Sequence, residues 1–406
     1  MSDLQSLIKT FRGIHGIYDK IDNRVLAIRE ELIGISALNP FADKNSASRG
    51  LMQTGQFSQL AVLLYPELTL VQEGISYQLA KNTWKCIVEE DCVVRHIISS
   101  KDSHDIENTE TILLLVELYD GTMDIIDVPL YYSVSEFGFR YKRNVEKLST
   151  IMVGSKLTKG TVLAETPGVI GNAYGYGVNA HMKLVTHPDV GQDGIVVSNE
   201  LMERMAYRTY HKFEANINQD SILLNRYGNL ENYIGLPKVG DTVPEDGIVM
   251  AIRRLDSDNL TPTVYDTMII DPIYDECYYM PHNTKKITIK GKEIYNNKVI
   301  SVKVYNSPSK KVVNQHCKEN IDNNAEELKT LHRRVIASYN KHENKNKLTP
   351  RAHKSIVESL SIASPELRTE LRYRNEVFTT RVEIVVETTH IPGVGNKLTD
   401  RHGTKN

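Results

Sequence analysis

The sequence predicts a mixed α+β fold that is rich in strands. Three observations point to this class: β-branched runs between polar turns from about residue 75 to 170, two alternating segments at 298–306 and 381–389, and a helical pattern between those two. The motifs of a doubly wound sheet do not occur, since the sequence has neither GxGxxG after a strand nor a P-loop. HExxH and GxSxG are also missing, which excludes the common zinc-protease and serine-hydrolase signatures.

Composition narrows the class of protein further. The chain has 406 residues, 40% of them hydrophobic and 25% charged, and a net charge of −2. At about 100–200 residues per domain, this length predicts two to four domains. Binding to a polyanion would need a local basic cluster, because the overall charge is not positive.

The N-terminal segment lacks the apolar core of a signal peptide, and the longest apolar run is far shorter than the roughly 20 residues of a membrane span. We expect a protein that is not secreted and that works in the cytoplasm.

The four cysteines predict no structural metal site. They contain no CxxC pair: Cys86 and Cys92 are six residues apart, a poor spacing for zinc, and the others are Cys277 and Cys317. Scattered thiols of this kind are typical of reduced cysteines in the core of a cytosolic protein.

The N-terminal segment predicts a helix followed by a loop. Apolar side chains recur at helical spacing at Leu4, Leu7, Ile8, Phe11 and Ile14. The next segment, 35–70, is polar and contains small residues and glycine, and it predicts a loop that leads into a short helix.

The central segment predicts strands and contains a short internal repeat. "WKCIVEEDCVVRHIIS", "TILLLVELYD" and "TMDIIDVPLYY" are strand-like runs separated by polar turns. "VGSKLTKGTVLAET" and "PKVGDTVPEDGIVMAIRR" both contain a turn bracketed by two glycines between apolar strands. A lipoyl-like carrier hairpin is one alternative for these turns, but "SKLTKG" lacks the residues that should flank the carrier lysine.

A helical insertion separates the two strongest strands. Asn324 and Glu327 form a potential capping box, which predicts a helix start there. Two further starts have proline after a capping hydroxyl, at Thr349–Pro350 and Ser364–Pro365.

The segment "GNKLTDRHGTKN", residues 395–406, concentrates positive charge on a backbone rich in glycine. Lys397, Arg401 and Lys405 are cations beside the titratable His402, and glycine lets a backbone approach a ligand closely. Such a segment can bind phosphate groups, although a solvated basic tail has the same composition.

Five segments in the same order resemble the β subunit of multisubunit DNA-dependent RNA polymerases. They are "SALNPFADKNSASRGLMQTGQFSQLAV", "VGSKLTKGTVLAE", "YGYGVNAHMKLVTHPDVGQDGIVVSNEL", "PKVGDTVPEDGIVM" and the block of "VISVKVYN" and "VEIVVE" leading into "VGNKLTDRHGTKN". The resemblance extends over about residues 36–406 and corresponds to the second half of a β subunit. It implies one piece of a split β subunit, as in the polymerases of giant bacteriophages. For a viral protein the expected location is the host cytoplasm or the virion.

The resemblance also implies roles for the basic segment. Lys397 and Lys405 match the two lysines that contact the RNA 3′ end and the phosphates of the incoming nucleotide. Arg401 and His402 match the adjacent Arg-His pair.

Three further residues match functional positions of that family. Arg49 corresponds to an arginine that reaches the nucleotide triphosphate, Gln59 to a glutamine near the RNA backbone, and Asp193 to an aspartate close to the second magnesium ion. Gln192 departs from the family, which has glutamate there, and Asn396 replaces aspartate. Mg²⁺ is the implied cofactor. Its main ligands are expected on a β′-like partner, because no cluster of aspartates occurs here.

The resemblance implies a core of double-psi-barrel and sandwich-barrel-hybrid type with a flap-like β domain and a helical insertion. The expected division is a helical lead-in and Arg/Gln loop at 1–60, a β-rich barrel part at 61–200, a flap-like domain at 201–297, barrel strands and the basic loop at 298–320 and 373–406, and the helical insertion at 321–372.

The leading functional hypothesis is a polymerase subunit that is inactive alone. Its expected partners are a β′-like subunit, other fragments of β, the DNA template, the RNA transcript, nucleoside triphosphates and a promoter-specificity factor at the flap. A non-catalytic β-like scaffold is the alternative, and Gln192 favours it because one carboxylate near the second metal is missing.

Overall fold

The computed structural model describes most of the chain after residue 38. The described residues are 39–71, 74–100, 105–134, 137–188, 190–191, 194–218, 220–255, 263, 265–281, 286–289, 292–295, 297–307, 315–343, 347–363, 372–373, 376–377 and 379–405. The helix predicted within the first 35 residues and the predicted helix start at Ser364–Pro365 lie outside them.

The described elements are six α-helices, twenty-one strands and two short 3-10 helices, Ala42–Lys44 and Asp266–Met268. The helices are α1 (Ala47–Phe57), α2 (Gly74–Asn82), α3 (Val145–Thr150), α4 (Asn199–Arg204), α5 (Gln315–Asn340) and α6 (Pro350–Ala363). The strands are β1 (Lys85–Ile87), β2 (Cys92–Ser99), β3 (Ile112–Leu118), β4 (Met123–Asp127), β5 (Tyr131–Val134), β6 (Phe137–Arg140), β7 (Lys142–Arg143), β8 (Lys156–Leu157), β9 (Val162–Glu165), β10 (Val169–Ile170), β11 (Ala173–Tyr174), β12 (Tyr207–Ile217), β13 (Ser221–Leu223), β14 (Ile248–Arg254), β15 (Glu276–Tyr279), β16 (Lys286–Ile289), β17 (Lys292–Tyr295), β18 (Asn297–Asn306), β19 (Arg372–Tyr373), β20 (Glu376–Val377) and β21 (Thr380–His390). This inventory confirms a mixed and strand-rich fold.

The chain divides into two compact units. The first contains Met1–Trp84, Thr166–Arg208 and His390–Asn406, and the second contains Lys85–Glu165 and Thr209–Thr389. The first unit is therefore assembled from three separate stretches of the sequence.

The first unit consists of short elements held by specific contacts. Helix α2 packs on β11, and β10 and β11 form a hairpin. The ring of Phe57 meets the ring of Tyr176 edge-on, with the ring centroids 5.4 Å apart. The rings of Tyr207 and His390 stack at a centroid distance of 5.3 Å.

The second unit is built from antiparallel sheets. The two largest have the strand orders β4-β3-β2-β8 and β18-β21-β12-β6-β5, and two three-stranded sheets have the orders β1-β9-β7 and β13-β14-β15. The alternating segments at 298–306 and 381–389 pair with each other over the length of β18 and β21, as Val302 opposite Ile384 illustrates. Their predicted strand character is confirmed, because alternate apolar side chains lie buried in one core cluster.

A buried arginine holds part of the second unit together. Arg143 is 7% exposed, and its guanidinium donates hydrogen bonds to the carbonyl oxygens of residues 106, 109, 110, 128 and 129, at distances of 2.6–3.2 Å. Burial lowers the pKa of Arg143 to about 10. The carbonyl groups replace the water that a buried guanidinium has lost.

The internal repeat of glycine-bracketed turns is present in the structure. Gly154 and Gly240 have φ values of 92° and 104°, in the left-handed region that favours glycine. Gly154 N donates to Val94 O (2.7 Å), and Gly240 N donates to Val299 O (2.8 Å). In each case the valine N donates back to the residue after the glycine. The two copies therefore dock on their neighbouring strands in the same way.

The helical insertion contains two long helices, but the first starts earlier than the sequence predicted. Helix α5 begins at Gln315, so the capping-box prediction at Asn324 and Glu327 is wrong. Asn324 lies inside the helix and its Nδ2 donates to Asn320 O (2.7 Å), while Ile321 and Ala325 are buried on the packed face.

The predicted start at Thr349–Pro350 is confirmed. Helix α6 begins at Pro350, and the hydroxyl of Thr349 accepts a hydrogen bond from Ala352 N at 3.2 Å. No helix in the part of the chain that the structure describes is long and apolar enough to span a membrane.

Candidate functional site

The basic segment of the sequence folds into a tight turn within the first unit. Thr399 and Lys405 form an antiparallel bridge that brings the two ends of the turn together. The carboxylate of Asp400 accepts hydrogen bonds from His402 N (2.8 Å) and Thr404 N (2.9 Å). The segment that composition alone would describe as a solvated tail is thus a closed turn, hereafter the basic turn (residues 399–405).

Gly403 presses the basic turn against helix α1. It is buried and has a φ of 77°. A Cβ at this position would lie 2.8 Å from Arg49 O and 3.0 Å from Gln53 N, closer than real side chains approach. Glycine is needed here for both reasons, because a side chain would clash with the helix and the backbone would be strained.

Side chains of α1 hold the basic turn in place. The carbonyl oxygen of Gly403 accepts hydrogen bonds from Gln56 Nε2 (3.1 Å) and from Arg49 Nη1, the latter long at 3.4 Å. The hydroxyl of Thr399 donates to Gln56 Oε1. Gln56 thus binds both the apex and the base of the turn, and the sequence analysis did not single it out.

Helix α1 begins just before Arg49. Ser46 caps the helix, and its hydroxyl accepts a hydrogen bond from Arg49 N (3.4 Å). Arg49 lies in the first turn of the helix and is exposed. Its guanidinium therefore projects from the helix that carries the basic turn.

Arg401 lies over an aromatic ring. The guanidinium carbon is 4.2 Å from the ring centroid of Phe41, a cation–π contact. Phe41 is buried and has a φ of 59°, which is uncommon for a bulky side chain and costs about 1–3 kcal/mol. Such strain often occurs near functional sites.

His402 is held by the side-chain amide of Asn45, which lies just before α1. Its Nδ1 lies 2.8 Å from Asn45 Oδ1, and its Nε2 lies 3.4 Å from Arg401 Nε. Asn45 Nδ2 also donates to Gln53 Oε1 (3.0 Å) and, at 3.4 Å, to Arg401 O. Asn45 and Gln53 were not predicted as site residues, since no local pattern distinguishes them from other polar residues.

Lys397 and Lys405 are both exposed. Lys405 ends the basic turn two residues after Gly403, so it lies on the same small structure as Arg49, Arg401 and His402. Lys397 follows Gly395, which has a φ of 95°. Among residues 39–405 as far as the structure describes them, neither lysine has a hydrogen bond or ion pair, so both ammonium groups are available to a ligand.

The other predicted site residues lie elsewhere. Gln59 is exposed just beyond the C-terminus of α1, with its backbone N–H donating to Gln56 O (3.0 Å). Asp193 and Gln192 fall outside the described residues. The described part of the chain contains no group of three or more His, Cys, Asp or Glu side chains that could hold a metal ion.

A polar latch fixes the two ends of the segment that contains Asp193. Glu67 accepts hydrogen bonds from Arg204 Nη2 (2.6 Å) and from Asn179 N (3.0 Å), and Arg204 Nη2 also donates to Asn179 O (2.9 Å). Burial would raise the pKa of Glu67, but these hydrogen bonds hold it below its usual value. The latch joins residues 67, 179 and 204, which sequence reasoning did not connect.

Comparison with known proteins gives the same family as the sequence segments. No family model matches the chain. The β subunit of DNA-directed RNA polymerase from Oceanobacillus iheyensis is 23% identical over 243 residues, which are 57% of this chain and 19% of the relative. The corresponding subunit of Onion yellows phytoplasma is 25% identical over 280 residues, 61% of this chain and 21% of the relative. For Mycoplasma pneumoniae the identity is 24% over 256 residues, 61% of this chain and 17% of the relative.

The matched region is a small part of each relative, about a fifth of its length. Over more than half of its own length, however, this chain aligns with proteins that share one name. These comparisons confirm the resemblance that the sequence segments indicated: over more than half of its length the chain is similar to the β subunit of DNA-directed RNA polymerase.

Proposed function

We propose that this chain is a subunit of a DNA-directed RNA polymerase and supplies the β side of its active centre. The observation that carries the proposal is the docking of the basic turn on α1. It brings the helix that carries Arg49 against the turn that carries Arg401 and Lys405, about 350 positions later in the sequence. Lys397 and Gln59 would extend the surface of this helix and turn along the transcript, and His402 would support it from within.

Phosphoryl transfer suits such a surface. The reaction asks the protein to hold the reacting groups in line and to neutralise charge on the phosphate oxygens. Exposed lysine and arginine side chains supply that charge, and arginine can also bind two phosphate oxygens at once. In this proposal Lys397 and Lys405 contact the RNA 3′ end and the nucleotide phosphates, and Arg49 contacts the triphosphate.

Magnesium would be held mainly by a β′-like partner. The described side chains offer no carboxylate cluster suited to Mg²⁺, a hard cation that prefers oxygen ligands in octahedral geometry. When bound, the ions would supply Lewis-acid stabilisation of the transferring phosphoryl group. Asp193 is proposed to lie near the second ion, and the partner to provide the remaining ligands.

The finer architecture belongs to the same proposal. We assign β2 and β18, the strands on which the two glycine-bracketed turns dock, to a core of double-psi-barrel and sandwich-barrel-hybrid type, with a flap-like part at 201–297 and a helical insertion at 321–372. The identical docking of the two turns supports an internally repeated core. Other fragments of β, the template, the transcript, nucleoside triphosphates and a specificity factor at the flap are the proposed partners.

The split arrangement of giant-bacteriophage polymerases is also proposed for this chain. Purification of the complex from its source tests it. Separate polypeptides carrying the remaining β segments would support the split, and one continuous β polypeptide containing this sequence would contradict it.

The central experiment replaces Lys405 with alanine in the reconstituted polymerase. Lys405→Ala should assemble normally and lose about 10²-fold in nucleotide incorporation, because it removes one preorganised positive charge from the reacting phosphates. Lys397→Ala should act in the same direction. Assembly is measured by size-exclusion chromatography and incorporation by extension of a labelled RNA primer.

Lys354→Ala is the matched control, since Lys354 is an exposed lysine on α6 in the helical insertion. It should leave incorporation unchanged. Full activity of Lys405→Ala would instead favour the alternative function, a non-catalytic β-like scaffold. That alternative draws support from Gln192, which occupies a position where the family has a carboxylate.

A further inference from the structure

A series of hydrogen bonds lies beneath the basic turn, and the donor and acceptor are certain at its first contact. The carbonyl oxygen of Pro40 can only accept a hydrogen bond, and Gln53 Nε2 donates to it at 3.2 Å. Gln53 is 3% exposed, so water cannot replace this partner. The orientation of the Gln53 amide is therefore determined, with its Oε1 directed away from Pro40 as an acceptor.

The orientation of Asn45 follows from that of Gln53. Gln53 Oε1 needs a donor, and the neighbouring atom, 3.0 Å away, must be the amide nitrogen of Asn45. The same nitrogen faces a second acceptor, Arg401 O, at 3.4 Å. A flipped Asn45 would bring oxygen against oxygen at both contacts, so its Oδ1 must face His402.

The protonation of the His402 ring follows at both of its nitrogens. Nδ1 lies 2.8 Å from Asn45 Oδ1, an acceptor, so Nδ1 must carry the proton. Nε2 lies 3.4 Å from Arg401 Nε, which can only donate, so Nε2 must present its lone pair. The two contacts are independent and require the same tautomer. A free imidazole in water favours the opposite form, with the proton on Nε2.

We propose that Gln53 and Asn45 are positioning residues that hold His402 as the Nδ1–H tautomer and, through its Nε2 lone pair, orient the guanidinium of Arg401. The relay runs from Pro40 O through the two amides and the imidazole to Arg401 Nε.

The relay fixes the orientation of the Arg401 guanidinium and leaves its two terminal nitrogens to bind a ligand. Its Nε is engaged by His402, and its face rests on Phe41. Within the described chain, no hydrogen bond or ion pair engages its two terminal nitrogens. A guanidinium held at its face and at Nε presents these two nitrogens as a fixed pair of donors, which matches two oxygens of a phosphate group. This last step rests on the proposed function, whereas the tautomer of His402 does not.

The tautomer is measured by NMR on the full chain with ¹⁵N-labelled histidine. Long-range ¹H–¹⁵N spectra distinguish a protonated from an unprotonated ring nitrogen, and the His402→Gln variant identifies the signals of His402. We expect Nδ1 protonated and Nε2 unprotonated near neutral pH. An Nε2–H ring, or an exchanging mixture of both tautomers, would overturn the relay.

Substitutions at Asn45 test which residue sets the tautomer. Asn45→Ala removes the acceptor and should shift the ring toward the Nε2–H form. Asn45→Asp keeps an acceptor oxygen facing Nδ1 and should keep the proton on Nδ1. Its second oxygen would oppose Gln53 Oε1 and Arg401 O, so this variant tests the contact with Nδ1 alone. Asn144→Ala is the matched control, because Asn144 caps α3 with its Oδ1 accepting from Lys147 N (3.0 Å) and lies in the second unit, whereas the relay lies in the first. An unchanged tautomer in folded Asn45→Ala would remove Asn45 from the proposal.

The effect on Arg401 is read from kinetics of the assembled polymerase. Asn45→Ala should raise KM for nucleoside triphosphates about tenfold, with a smaller change in kcat. A tenfold increase in KM corresponds to the loss of roughly one charge-assisted hydrogen bond. Asn144→Ala should leave KM unchanged. An active wild-type assembly in which Asn45→Ala has normal KM would refute the link to Arg401. A wild-type assembly that incorporates no nucleotide would refute the proposed function instead, and the NMR result would still decide the relay.

Discussion

Gly403 joins two stretches of the sequence that are otherwise unrelated. It lies on the backbone of α1, and glycine is required both by its φ of 77° and by the distance of only 2.8 Å that would separate a Cβ from Arg49 O. The neighbouring cations Arg401 and Lys405 can approach Arg49 only because this residue lacks a side chain.

Gly403→Ala should therefore release the basic turn from α1. We expect a loss of about 1–3 kcal/mol in the free energy that holds the turn, from backbone strain and the clash with the helix. Hydrogen exchange should be faster at the backbone amides of His402 and Thr404, which donate to Asp400 in the native turn.

Gly393→Ala provides the control for this substitution. A Cβ at Gly393 would meet no atom within 4 Å, and its φ is not in the left-handed region. Hydrogen exchange of the basic turn should stay at the wild-type rate in this variant. If the amides of His402 and Thr404 exchange as slowly in Gly403→Ala as in the wild type, the basic turn does not pack closely on α1.

At the scale of the elements, the helical insertion contains a buried histidine. His332 on α5 forms a 3.0 Å hydrogen bond between its Nδ1 and Ser359 Oγ on α6. Burial, and then the positive charge of Lys303, lower the pKa of His332 from 6.5 to about 4. The packing of the two helices thus depends on a neutral imidazole.

The insertion should lose stability in acid because of this residue. The unfolded chain binds the proton more readily than the folded one, so stability is complete above about pH 6.5 and falls as the pH decreases toward about 4. Urea unfolding at neutral pH and at about pH 5 should show this loss, and His332→Gln should reduce it.

Two other histidines contribute to the same loss of stability in acid. The pKa values of His96 and His342 are lowered by burial, and the rings meet edge-on at 5.2 Å. His332→Gln should therefore remove only part of the pH dependence. His353→Gln, at an exposed position on α6, should remove none. If the free energy of unfolding falls by the same amount between neutral pH and about pH 5 in His332→Gln and in the wild type, His332 does not contribute to the acid sensitivity.

At the scale of the whole molecule, the candidate surface presents cations without a described carboxylate cluster. Lys397, Lys405 and Arg49 are exposed, while the metal ligands are proposed to belong to another polypeptide. The chain should then be incomplete as a binding site for nucleotides.

The purified chain alone should bind nucleoside triphosphates or template only weakly, with dissociation constants in the range of about 1 mM or above. Fluorescence titration with a labelled nucleotide measures this directly. The complete assembly should bind the template and transcript far more tightly, and its affinity should fall steeply with salt. In a plot of the logarithm of the association constant against the logarithm of the salt concentration, each neutralised phosphate should contribute about −0.7 to −0.9 to the slope. Strong polymerisation by the isolated chain would refute the proposed division of labour.

Local patterns in the sequence determined much of the fold. The alternating segments at 298–306 and 381–389 form paired strands, and Thr349–Pro350 begins a helix, because strand alternation and helix capping act over a few residues. The glycine-bracketed turns could be read for the same reason, since a positive φ at Gly154 or Gly240 is a local requirement. The family could also be recognised, because five segments kept their order.

Tertiary structure decided what local patterns could not. Helix α5 extends back to Gln315, and the side chain of Ile321, which precedes Asn324, is buried there; this packing overrides the capping pattern at Asn324. The contact of α1 with the basic turn joins residues about 350 positions apart, and no rule based on sequence spacing describes such a contact. Only the packed structure determines that Asn45 and Gln53, ordinary polar residues in the sequence, lie beneath His402, because hydrogen-bond partners are selected by distance and orientation in space.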